Sequence, residues 1–145
     1  VEKSATVAPA ALVAAFDLPL GWHVLDDGRR TLVFDAGGKI QISLNLRSGL
    51  DGTGALLEQI QRDVLAEQPQ IEPTRVDFTP ELPGLILRNF RSGDDVLVQA
   101  FIVKSLRDDE WVHVARITAA PEEMARALNV AEVIVRSLQI PVTMS

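Results

Sequence analysis

The segment 39–47, KIQISLNLR, constrains the fold more than any other part of the chain. Ile40, Ile42, Leu44 and Leu46 take every second position, and Gln41, Ser43, Asn45 and Arg47 take the ones between. Successive side chains of a strand point to opposite faces, so this spacing predicts a strand buried on one face and polar on the other. Such a strand belongs to an antiparallel sheet, because parallel strands are covered on both faces and read as continuous apolar runs. Upstream, Trp22-Val24 and Leu32-Phe34 are apolar pairs at the same spacing, with Asp26-Asp27-Gly28 as the hairpin turn between them. Gly37-Gly38 supplies the next turn.

After residue 47 the apolar period lengthens. Leu56, Leu57, Ile60, Val64 and Leu65 form one stripe, with Glu58, Gln61, Arg62 and Asp63 off it. That pattern predicts a helix over 54–68, capped by Asp51 or Thr53 and ended by Pro69. Strands are predicted over 75–79, 85–91, 96–107 and 111–118, punctuated by Pro83-Gly84, Gly93-Asp94 and Asp108-Asp109. The run 96–107 is apolar on both faces, as a central strand is. Pro121 suits a first helical turn, and Glu122 and Glu123 complement the helix dipole behind it. Met124, Leu128, Ala131, Ile134, Val135 and Leu138 carry this second helix to residue 139, and Pro141 stops it. The connections are of hairpin length. The fold class is therefore α+β: a mainly antiparallel sheet of six or seven strands, with two main helices packed against it as an α/β/α sandwich.

Length and charge narrow the classes of function. A chain of 145 residues, 47% of them apolar, is one globular domain. Fourteen Lys and Arg against 20 Asp and Glu give a formal charge of −6, which argues against nucleic acid and against an anionic membrane surface as partner. There is no cysteine, so disulfide frameworks and thiolate metal sites are excluded. No apolar run approaches the ~18–20 residues of a membrane-spanning helix. The chain starts at Val1, and residues 1–15 are read as a flexible or weakly strand-like lead, or the remnant of a processed N-terminus. A single domain is expected over 16–140, with a tail over 141–145.

Three motifs tempt and fail. GLDGTGALLEQI, residues 49–60, has glycines opening a helix, and Glu72 follows about 20 residues on, where a dinucleotide fold places a ribose-binding acid. The third glycine of that fingerprint is missing, since Leu57 stands there, and the preceding strand alternates instead of running apolar. The reading is a turn and a helix cap. His23 and His113 are the only histidines, and neither has His, Asp or Glu four residues on along a helix to build a metal site. His113 shares a strand face with Trp111, Ala115 and Ile117 and is read as a partly buried, hydrogen-bonded structural residue. The acidic groups Asp26-Asp27, Asp94-Asp95 and Asp108-Asp109-Glu110 sit at hairpin tips, where Asp favours turns, and lack the ligand spacing of a calcium loop. No catalytic residue, metal ligand or cofactor site is expected.

One constellation survives. Gln41, Ser43 and Asn45 form the polar face of one strand, and Arg88, Gln99 and Arg116 stand in the middles of three others. If these share a sheet face, they make a polar, partly basic surface on an acidic protein, and that surface is the candidate protein-binding site.

FDLPLGW, residues 16–22, is read as the anchor that starts the first hairpin. Pro19 fixes φ and has no N–H for a ladder, Gly21 permits a tight approach, and Trp22 turns into the core. This aromatic-x-Leu-Pro-x-Gly-Trp motif, followed by a hairpin, an alternating strand and a helix, resembles the PsbP/Mog-like fold. So do LPGLILRNF (82–90), DVLVQAFIV (95–103) and the closing VIVRSLQI (133–140). The resemblance spans residues 16–140. It implies a non-enzymatic, protein-binding role, since members of this fold include extrinsic photosystem subunits, Ran-binding import factors, bacterial envelope lipoproteins and chaperones of type VI secretion effectors. The expectation is a bacterial secretion-effector chaperone or adaptor, cytoplasmic, binding a hydrophobic effector segment, with homodimerisation open. The alternative is a periplasmic or envelope-anchored accessory protein, and a small-ligand carrier or enzyme stands behind both.

Overall fold

The computed structural model describes residues 4–7, 16–26, 31–35, 37–48, 52–106 and 111–138. In chain order they form β1 (Ser4–Val7), β2 (Phe16–Pro19), β3 (Trp22–Asp26), β4 (Thr31–Asp35), β5 (Ile40–Ser48), α1 (Gly52–Glu67), β6 (Glu72–Thr79), β7 (Leu82–Ser92), β8 (Asp95–Leu106) and β9 (Trp111–Ala119). A 3₁₀ turn at Pro121–Glu123 then leads into α2 (Met124–Ser137). The main sheet is seven-stranded, in the order β3-β4-β5-β9-β8-β7-β6, and β1 and β2 form a separate two-stranded sheet. Every pairing is antiparallel.

The alternation of β5 does what its spacing dictates. Ile40, Ile42 and Leu44 are fully buried, and the register sets Ile42 beside Ile117 and Ile117 beside Ala100. These rows meet Met124, Ala127, Ala131, Ile134, Val135 and Leu138 of α2 in the larger core cluster. On the other face, Leu57 of α1 joins Leu85, Leu87, Phe101, Val103, Val112 and Val114 in a second cluster. One helix on each side of the sheet gives the expected α/β/α sandwich.

Four details depart from the sequence reading. A weakly strand-like lead was one of the expectations, but its partner was not: Phe16 to Pro19 pair with Ser4 to Val7 before the chain turns at Leu20-Gly21. Gly21 serves that turn through its φ of +91°, and a Cβ there would meet nothing, so its conformational freedom and not a tight approach explains the glycine. Gly84 is not a turn residue but lies inside β7, where a Cβ would collide with the Phe78 ring and the Phe101 carbonyl. The aromatic ring fills the place a side chain would take. In β4 the buried face belongs to Thr31, Val33 and Asp35, so Leu32 and Phe34 point the other way and stay half-exposed. Three consecutive apolar residues, Leu32-Val33-Phe34, do not fix the phase of a strand by themselves. The Asp27-Gly28 turn, Asp51 and the Thr53 side chain as caps, the Asp108-Asp109-Glu110 tip and the 141–145 tail lie outside the described residues.

Candidate binding face

α1 packs on β7 and β8 and reaches no further across the sheet than Val112 and Val114 of β9. On the same face, α1 makes no substantial contact with β3, β4 or β5. The ladder registers lay two cross-strand rows there. One runs His23, Phe34, Gln41, Thr118, Gln99; the other runs Leu25, Leu32, Ser43, Arg116, Phe101. From β3 to β9 is three strand spacings, about 14 Å. The β3–β4 end is apolar: Leu25 is 53% exposed, Leu32 and Phe34 are half-exposed, and the His23 ring lies 5.5 Å from the Phe34 ring. The β5–β9 part is polar, with Gln41 and Arg116 exposed and Asn45 and Thr118 half-exposed.

The sequence-predicted residues therefore divide. Gln41, Ser43, Asn45, Gln99 and Arg116 do share this face. Ser43 and Gln99 are buried, and the Gln99 amide donates to Thr118 Oγ1 at 3.4 Å, so both complete the rows from within. Arg88 is a correction. It pairs with Glu72, two positions from the Thr74–Ile86 pair, and therefore lies on the α2 side of the sheet, donating to Thr74 Oγ1 at 3.2 Å. Leu85-Ile86-Leu87 is apolar throughout, so the phase of β7 is open in the sequence; the packing turns Leu85 and Leu87 toward α1, and Ile86 and Arg88 follow on the other face. The apolar members Leu25, Leu32 and Phe34 were missed, since alternation alone assigned Leu32 and Phe34 to the core.

The anchor residues sit beside the α2 face. Pro19 ends β2, and Trp22 opens β3, half-buried against the main core. The Arg126 guanidinium stands 5.8 Å from the Trp22 ring centroid. Asp35, buried at the end of β4, accepts from the backbone N–H groups of Lys39 at 2.8 Å and Ile40 at 3.2 Å, and from Arg126 Nη2 at 2.9 Å. Burial alone would raise its pKa; the hydrogen bonds from Arg126, Ile40 and Lys39, together with the charge of Arg126, outweigh that and hold it below the usual carboxylate value.

His113 is more deeply buried than its sequence context predicts, at 1% exposure; among the described residues neither ring nitrogen makes a well-formed hydrogen bond, and the Asn45 backbone is a polar group beside the ring. Burial pushes its pKa down to about 4; the backbone of Asn45 opposes the shift and the neighbouring Lys104 charge adds to it. Among the described residues no group of three His, Cys, Asp or Glu side chains is placed to hold a metal ion.

No protein-family model matches the sequence, and no curated protein sequence matches it. Solved structures do match the fold. The Ran-binding protein Mog1p of Saccharomyces cerevisiae superposes with a TM-score of 0.66 at 9% identity, over 97% of this chain and 96% of that one. The cyanobacterial PsbP protein of Synechocystis gives 0.61 at 12% identity, over 97% and 94%. LpqN of Mycobacterium tuberculosis, involved in cell envelope biogenesis, gives 0.60 at 15% identity, over 88% and 83%. The chain has the PsbP/Mog-like fold. Among the described residues, no helix is long and apolar enough to cross a membrane.

Proposed function

We propose that the protein is a non-catalytic protein-binding module whose docking surface is the half of the sheet that α1 leaves open among the described residues. The observation that carries this reading is the pair of cross-strand rows. They leave Leu25, Leu32 and Phe34 unburied at one end and the Arg116 guanidinium, without an ion pair among the described residues, at the other. An apolar patch rimmed by polar groups marks an interaction site. An extended surface of this kind fits a partner segment with apolar side chains at one end and polar or acidic groups at the other.

In its most concrete form the protein is an adaptor or chaperone in a bacterial secretion system that shields an apolar segment of an effector, working in the cytoplasm. The likeness to LpqN supports a second form, an accessory protein of the cell envelope. Both use the same face. The test is affinity capture from the encoding organism with two baits, the wild-type chain and the double variant Leu25→Asp with Arg116→Glu, checked for equal thermal stability. The expected result is a defined partner held by the first bait and lost from the second. A secreted effector with apolar segments points to the chaperone form and envelope proteins to the accessory form. A partner retained by both baits overturns the assignment of the face.

A further inference from the structure

On the opposite side of the sheet, β7, β8 and the first turns of α2 line an open-mouthed cavity of about 420 Å³. Ile86, Val96, Val98, Met124 and Leu128 line it, with Arg88 and Asn89. The volume lies in the range of small-molecule sites, and so does the composition: an apolar lining with few polar groups. No aromatic ring lines it. Val96 is 45% exposed, and Ile86 and Leu128 are only half-buried, so apolar surface is left uncovered here.

The polar end is built by a bulge. The β7–β8 register shifts between Leu87 and Phe90, and Asn89 takes φ +65°, an unusual conformation for a residue with a side chain. Bulges of this kind re-aim side chains and collect beside functional sites. The link between α1 and β6 clamps it. Gln68 accepts from Arg91 N at 2.8 Å and donates to Arg91 O at 3.0 Å, and Asn89 Nδ2 donates to Glu72 Oε2 at 3.0 Å. Glu72 is thus engaged by Asn89. Arg88 makes no ion pair among the described residues, and its one hydrogen bond is to Thr74 Oγ1. At the other side, beyond Val96 and Pro121, the adjoining cleft carries Asp95, Glu122 and Glu123 against a single cation, Lys39. Three acids against one base disfavour an anionic group there and leave Arg88 to hold it.

We propose that this cavity binds a small amphiphilic carboxylate, an aliphatic chain lying between Ile86, Val98, Met124 and Leu128 with its carboxylate paired to Arg88. The site is independent of the docking face on the other side of the sheet.

The test uses the full chain and two probes, dodecanoate and dodecanol, titrated by calorimetry and followed by amide NMR shifts at β7, β8 and α2. Dodecanoate is expected to bind saturably at one site. Arg88→Gln weakens dodecanoate about tenfold and leaves dodecanol unchanged. Ala125→Phe, at an exposed helix position on the cavity wall, weakens both probes without lowering thermal stability; Leu128→Trp fills the cavity from a second position. Absence of saturable binding overturns the proposal. So does binding that neither cavity variant weakens, or an Arg88→Gln effect equal for the two probes.

Discussion

Arg126 Nη2 stands 2.9 Å from Asp35 Oδ2, joining residues 91 apart in sequence and fastening α2 to the turn between β4 and β5. The same guanidinium reaches Glu123 Oε2 at 3.1 Å and lies over Trp22. Asp35 is the centre of this arrangement because it also satisfies two backbone donors, one of them buried. Arg126 is half-exposed, so its ion pair is screened and is the lesser part.

Replacing Asp35 by Ala strands those donors and is expected to lower stability by about 2–3 kcal/mol, measured by urea unfolding. Arg126→Met costs clearly less. The acid limb follows from the sign of the shift. The folded carboxyl titrates below its ordinary value of 3.8, so the unfolded chain takes up the proton first as pH falls. The contribution is complete above the ordinary carboxylate range and is lost below it. An Asp35→Ala loss as large at pH 2.5 as at pH 7 contradicts this account.

Much of this fold is legible in the sequence where a strand alternates strictly, as β5 does, or is apolar on both faces, as β8 is. The period of β5 named its buried face, and the run in β8 named a central strand, which lies between β9 and β7. What was not legible depends on pairing. Leu32 and Phe34 could occupy either face until the Val33–Ile42 register fixed them. Arg88 could be placed only once packing had fixed which of Leu85, Ile86 and Leu87 face α1. The polar rows show the same limit. Gln41, Ser43 and Asn45 share a face by period alone, but their company with Arg116 and Gln99 is a property of strand order, which no local pattern encodes.

Lys104 is the C-terminal cap of α2. Its Nζ donates to the carbonyls of Val135 at 3.0 Å, Arg136 at 3.0 Å and Leu138 at 2.9 Å, groups that a helix end leaves without partners. Burial pulls the Lys104 pKa down, so the charge is held at some cost and the three carbonyls offset it. Lys104→Met keeps the apolar stem and removes the donors. It is expected to cost about 1–3 kcal/mol and to speed amide exchange in the last turn of α2 more than in its first. Uniform acceleration along the helix contradicts a capping role.

His113 sits directly opposite Lys104 on the neighbouring strand and gives the protein a second, separate pH window. In the fold its pKa is about 4, against 6.5 for the free side chain. Between these values the unfolded chain binds a proton that the folded one does not, so stability falls as pH drops through that interval and is level above it. A gap of this size corresponds to about 3 kcal/mol at most. Because the ring makes no well-formed hydrogen bond among the described residues and has only the Asn45 backbone beside it as a weak partner, His113→Leu strands little and preserves the apolar packing. The variant is expected to match or exceed the wild type at pH 7 and to hold that stability down to pH 4.5, where the wild type has already weakened. Parallel stability–pH curves for the two proteins between pH 4.5 and 7 show that the proton is taken up elsewhere. A variant much weaker at pH 7 shows that the imidazole makes a polar contact the fold depends on.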